Sequence, residues 1–299
     1  MTIQDFALIT FTILIQMSVG AFVVLAIVHL YLARKANREE ADRLAGRAMW
    51  IIGPMIALGL AASLLHLGDP LGGYRAINNF GTSWLSREIV FSLSFAMLAA
   101  VYALLQWFKL FSFVLRSIVA WITAVFGIAI VISMSNVYFL LSQPAWNSWA
   151  TLITFFTTTF LLGSLVMGVF LVADGYGKRK ETSEFLGPVM RAIAVTSVVL
   201  LGIELVTLPV YLATLASGQP AAVETAQLLV GPYAWAFIAR LVLVVLGAGV
   251  FGLFLYRNAL GPKLGKALVS VTYAAFAMVF ASEVLGRLLF YATHVKIGI

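Results

Sequence analysis

Seven ionisable side chains stand at or inside stretches of sequence that are otherwise apolar: His66, Glu88, Glu204, Arg240, Glu283, Arg287 and His294. A titratable group at such a position is costly to bury, so each is a candidate for function. His66 and Glu88 bracket a polar, turn-rich interruption, Ser63 to Glu88, reading SLLHLGDPLGGYRAINNFGTSWLSRE. Gly68-Asp69-Pro70 stops the preceding helix, which puts His66 at a helix C-terminus, where the macrodipole favours imidazolium and a proton can be accepted. Glu88 opens the next helix after Gly81-Thr82-Ser83, any of which can cap it, and the dipole there favours a carboxylate. Two proton acceptors across one loop are suited to deprotonating a bound ligand. Blander roles compete: an interfacial histidine bonded to a carbonyl, and a helix-start glutamate paired with Arg87.

Glu283 and Arg287 lie four apart on one helix face, while Glu204 and Arg240 sit in two other apolar stretches. They can be ion pairs, Glu283 with Arg287 and Glu204 with Arg240, that fix helix rotation, and they can equally line a site. Tyr138 and Asn136 are polar enough to contact a ligand headgroup. Phe155, Phe156 and Phe160 read as packing residues rather than a cofactor box.

These residues are positioned by a membrane bundle. The 299 residues are 62% hydrophobic and 10% charged, with mean hydropathy +1.03, which marks an all-α integral membrane protein. Eight apolar stretches, 7–32, 48–67, 87–108, 116–141, 150–173, 190–215, 233–256 and 267–291, are each long enough to cross a bilayer. Short connections predict antiparallel neighbours and one domain over residues 1–299. Met1-Thr2-Ile3-Gln4-Asp5 lacks a basic n-region, so the first stretch is expected to be a retained span rather than a signal peptide.

Fourteen of the nineteen Lys and Arg fall in alternate connections, among them Arg34, Lys35, Arg38, Lys109, Lys178 and Lys263. The positive-inside rule then places both termini outside, and the Ser63–Glu88 stretch becomes an outer loop. Read this way, the net charge of +7 signals topology and no nucleic-acid partner. Another outer loop carries Trp146 and Trp149, expected at the membrane interface, and the turn-rich segment Ser217–Pro232 suggests no chemistry.

The absence of cysteine removes the usual ligands of an iron–sulfur cluster. Three histidines, with His29 at the inner end and His66 and His294 near the outside, do not make two stacked bis-histidine sites, so no haem is expected. No metal site is expected either. An ion- or solute-coupled transporter is the competing class, motivated by the charges within spans; against it stands the lack of an evident repeat and of helices broken at corresponding positions in two halves.

With these residues in view, the chain resembles the membrane-anchor subunit of bacterial dimethyl sulfoxide reductases. The resemblance is carried by Ser63-Leu64-Leu65-His66-Leu67-Gly68-Asp69-Pro70 with Trp84-Leu85-Ser86-Arg87-Glu88-Ile89, by Val137-Tyr138 with Pro144-Ala145-Trp146-Asn147-Ser148-Trp149, and by Glu283-Val284-Leu285-Gly286-Arg287 with Phe290-Tyr291 and His294. It implies a multi-pass subunit of the bacterial cytoplasmic (inner) membrane that oxidises menaquinol and passes the electrons to an iron–sulfur subunit and then to a molybdopterin catalytic subunit. Iron–sulfur clusters and the molybdenum cofactor would reside in those partners. His66 and Glu88 take the family's quinol-binding positions by resemblance; Ser86, Arg87, Tyr138, Glu283, Arg287 and His294 are expected to complete the pocket. Arg87 is open to three roles: holding a quinone oxygen, pairing with Glu88, or meeting the iron–sulfur partner. An anchor for a polysulfide- or tetrathionate-type reductase would differ in terminal substrate and not in this subunit's task.

Overall fold

A computed structural model describes residues 3–66, 75, 78–175, 180–258 and 266–297. The Leu67–Tyr74 part of the loop after His66, with its Gly68-Asp69-Pro70 stop, lies outside the described residues, as does the His66 side chain. The chain forms helices α1 (Ile3–Lys35), α2 (Arg38–His66), α3 (Trp84–Trp107), α4 (Phe113–Val137), α5 (Trp149–Gly175), α6 (Lys180–Ala216), α7 (Pro220–Val230), α8 (Ala234–Val244), α9 (Phe251–Asn258) and α10 (Lys266–Ala292). Among the described residues there is no strand, and eight helical segments are long and apolar enough to span a membrane.

Two elements differ in kind from those the sequence predicts. Ser217–Pro232 is not a plain loop, because Pro220 starts α7 at its first turn, where the missing N–H costs nothing and φ is already helical. The seventh span is not one continuous α-helix either: α8 passes through a π-helical turn, Val245–Val250, into α9. At that turn Gly247 meets α10 so closely that a Cβ would lie 2.7 Å from Val279.

Helices α1 and α5 form the centre. In their most apolar stretches 78% and 83% of residues are buried, against 29–44% in the other spans, and both are apolar all round, as fully enclosed helices must be. Their backbones touch. A Cβ on Gly20 would stand 1.9 Å from the Thr159 carbonyl oxygen, and one on Gly163 would stand 2.2 Å from the carbonyl carbon of Gly20. Small residues at a helix crossing permit such an approach, and dispersion between the surfaces is what holds helices together where lipid is as apolar as they are.

The arginine-rich end is tied by buried charge. Asp42 receives His29 Nε2 at 2.9 Å and Arg116 at 2.5 Å, and Asp174 receives Arg47 at 2.5 Å. Arg116 also donates to the Leu110 and Phe111 carbonyls, closing a turn in which Lys109 and Phe111 hold φ of 50° and 60°. Thus His29 is engaged with a carboxylate at the end of the bundle remote from the chain termini.

Candidate functional site

The other end of the bundle, where both termini lie, gathers the remaining polar residues. Helix α3 begins earlier than its apolar stretch suggests: Ser83 is the N-cap, accepting from the Ser86 amide at 3.3 Å. Glu88 therefore stands one full turn inside the helix, beyond the strongest part of the dipole. It is 6% exposed, and no hydrogen-bond or ion-pair partner faces it among the described residues. Ser86, two residues earlier and so about half a turn away, is also buried.

Arg87 points away from this carboxylate. Its Nε donates to the Phe80 carbonyl at 2.9 Å, another guanidinium nitrogen donates to Gly81 at 2.7 Å, and the plane lies 4.2 Å from the Trp84 ring centroid. Of the three roles open to it, pairing with Glu88 is not the one adopted: Arg87 is the clamp that shapes the turn leading into α3.

Glu88 lies within electrostatic reach of two phenols, Tyr138 at the end of α4 and Tyr291 in the last turn of α10. The two hydroxyls are 2.5 Å apart and buried. Around them aromatic rings make a continuous wall: Tyr138 packs edge-on to Trp146 and Phe290, and Trp146 stacks on Phe290 and on His294, with centroids 5.3 and 4.2 Å away. Trp146 is thus not an interfacial ring but an internal one, its indole N–H donating to the Phe290 carbonyl at 2.8 Å. His294 donates from Nδ1 to the Tyr291 carbonyl at 2.7 Å, and its Nε2 has no hydrogen-bond partner among the described residues. The C-terminal segment is held over this wall by the Ile297 amide bonding the Ser142 carbonyl.

Deeper in α10, Glu283 and Arg287 share a face but are not joined to one another. Thr158 of α5 donates to Glu283 at 2.5 Å, and Arg287 donates to Gln16 of α1 at 2.8 Å while lying 3.8 Å over the Phe155 ring. The second expected pair does form: Arg240 of α8 meets Glu204 of α6 at 2.5 Å. Gly286 makes room for it, because a Cβ there would fall 2.6 Å from Arg240 Nε.

The structure thus brings Glu88, Tyr138, Glu283, Arg287 and His294 to one end of the bundle and assigns Arg87 to the adjoining turn. Gln16, Thr158 and Tyr291 are additional members. Gln16, fully buried, was signalled by being the one amide in the run Ile13-Leu14-Ile15-Gln16-Met17-Ser18-Val19. Thr158 carries no such signal, since a threonine in a membrane helix commonly bonds its own backbone.

Comparison with known proteins gives a consistent picture. A family model described as DMSO reductase anchor subunit (DmsC) matches residues 1–293. The chain is 31% identical over 300 aligned residues to a polypeptide of the anaerobic dimethyl sulfoxide reductase of Escherichia coli, covering 99% of this chain and 96% of that one. It is 29% identical to the Haemophilus influenzae protein of the same description, covering 99% and 97%. A shorter match, 30% over 109 residues and 35% of this chain, reaches one subunit of the sulfite dehydrogenase of Allochromatium vinosum.

Proposed function

Because this chain belongs to the DMSO reductase anchor subunit family, and so is a multi-pass membrane subunit of a reductase complex, we propose that it oxidises a membrane quinol, menaquinol, at the end of the bundle bearing Glu88. The site would face outward in a bacterial cytoplasmic membrane. The electrons would pass to an iron–sulfur subunit docked over it and then to a molybdopterin catalytic subunit. The observation that carries this reading is Glu88 itself, a buried carboxylate one turn inside α3 with no partner among the described residues, within electrostatic reach of the Tyr138–Tyr291 hydroxyl pair. A buried carboxylate with no partner among the described residues is expensive to keep, and a ligand that completes it explains it.

Quinol oxidation releases two electrons and two protons, and each electron loss makes the remaining hydroxyl more acidic. One quinol hydroxyl gives its proton to Glu88. The other gives its proton to His66, which closes α2 across the same loop. Both acceptors return their protons to water at the near face, and the electrons leave singly toward the partner's cluster. Tyr138 and Tyr291 hold the ring plane, and Arg287 offers positive charge to the phenol pair from below. The Arg87 clamp keeps the start of α3, and hence Glu88, in register.

The experiment compares two electron donors. His66→Ala and Glu88→Gln should each abolish quinol-driven reduction of the terminal acceptor by membranes carrying the complex, while activity with a reduced viologen stays at the wild-type level. Unchanged quinol turnover in both variants would remove the assignment.

A further inference from the structure

On the face of α10 turned toward α5, α6 and α8, a pocket borders the Trp146–Phe290 wall. Its polar floor is made by Thr154, Thr158, Arg240, Glu283 and Arg287, and neither Tyr138 nor Glu88 reaches it. The cavity between these walls holds about 70 Å³, several times what a single trapped water needs.

Three buried atoms of this floor have no hydrogen-bond partner among the described residues: Glu283 Oε1, Arg287 Nε and Arg240 Nε. One is an acceptor and two are donors. The charges around them balance, two guanidinium groups against Glu283 and against Glu204, which pairs Arg240 from behind. A neutral floor with both donors and an acceptor discriminates against simple anions and cations and suits an uncharged molecule bearing hydroxyl or carbonyl oxygens.

The apolar side of the pocket says how that molecule arrives. Leu208 and Leu212 of α6 face Phe237 of α8 across it. Helix α6 packs on α5, and α8 on α10, but α6 and α8 barely touch each other; the Glu204–Arg240 pair bridges them lower down. Pro209 has no N–H for the Leu205 carbonyl, which weakens α6 at the same level. A hydrocarbon tail can therefore run out between α6 and α8 while a ring sits on the polar floor beside Phe290.

We infer that this pocket is a second binding site for a quinone or quinol headgroup, entered laterally from the lipid, with Glu283 and Arg287 as its polar contacts. The choice of headgroup rests on the proposed quinol reaction; the pocket and its polarity do not. Arg287 connects it to the Tyr138–Tyr291 pair, and with Trp146 and Phe290 it is common to both sites.

The test uses the assembled complex in nanodiscs of phosphatidylethanolamine and phosphatidylglycerol, photolabelled with a ring-azido 1,4-naphthoquinone and mapped by peptide mass spectrometry. Label is expected on the peptides containing Leu208 and Phe237, lost in Leu208→Trp, which fills the pocket, and lost on adding excess unlabelled naphthoquinone. Glu88→Gln should leave that label intact. Absence of label at these peptides, or label that neither the tryptophan nor the competitor removes, overturns the second site. Label at the peptide around Glu88 is read separately: its absence counts against the reaction proposed above and not against the pocket.

Discussion

Removing one member of the Glu204–Arg240 pair should destabilise the bundle far more than removing both. The two groups are 2% and 8% exposed and 2.5 Å apart. At an effective dielectric near 20 that separation corresponds to about 7 kcal/mol of attraction. Desolvation of the two ions consumes most of it, so replacing both by apolar residues is expected to be about neutral. Glu204→Leu alone leaves a guanidinium buried without its anion and should cost about 3–5 kcal/mol, a fall in unfolding temperature on the order of 10 °C. Arg240→Met alone should do the same, and Glu204→Leu/Arg240→Met should recover most of the loss. Thermal unfolding of the four proteins in mild detergent, followed by intrinsic tryptophan fluorescence, reads the cycle. Additive losses in the double variant would refute the reasoning and return the two charges to the candidates for ion coupling.

At the central crossing, Gly163→Ala places a Cβ 2.2 Å from a backbone atom of α1; α1 and α5 must separate by roughly 1 Å, costing about 1–3 kcal/mol, measurable as a drop in unfolding temperature with no new donor dependence. Tyr138→Phe removes one partner of the buried Tyr291 hydroxyl and leaves Thr12 as the other, and should lower stability by about 0.5–1.5 kcal/mol and slow quinol turnover while sparing the viologen-driven rate. Orientation can be read directly because the chain has no cysteine: Asn147→Cys should react with an impermeant maleimide on spheroplasts, and Lys109→Cys only after the membrane is opened. The reverse pattern would invert the proposed topology.

The spans were legible from the sequence because each apolar stretch exceeds what a bilayer requires, and their ends were legible less well because polar residues extend helices beyond the lipid. Ser83 shows this, starting α3 three residues before the apolar run. The short helix α7 was hidden because glycine and proline signal turns on composition alone, whereas Pro220 here occupies a helix start. Pairing of charges was legible only in part. Arg240 and Glu204 lie on different helices and do meet, while Glu283 and Arg287, adjacent on one face, are each claimed by a neighbouring helix. Spacing along a helix brings two side chains within reach, but the groups opposite decide which bond forms. Arg87 likewise sits beside Glu88 in sequence and turns to two carbonyls that only the folded turn presents.

The central claim is that Glu88 takes a proton from quinol. Mixing the assembled, oxidised complex with a reduced naphthoquinol in a stopped-flow instrument, and following reduction of the partner's iron–sulfur centres in a single turnover, isolates that step from everything downstream. Glu88→Gln is expected to slow this phase by about 10²-fold or more, the scale of a lost general base, and Glu88→Asp to restore part of it. An unaltered single-turnover rate in Glu88→Gln, with naphthoquinol still bound, would contradict that claim.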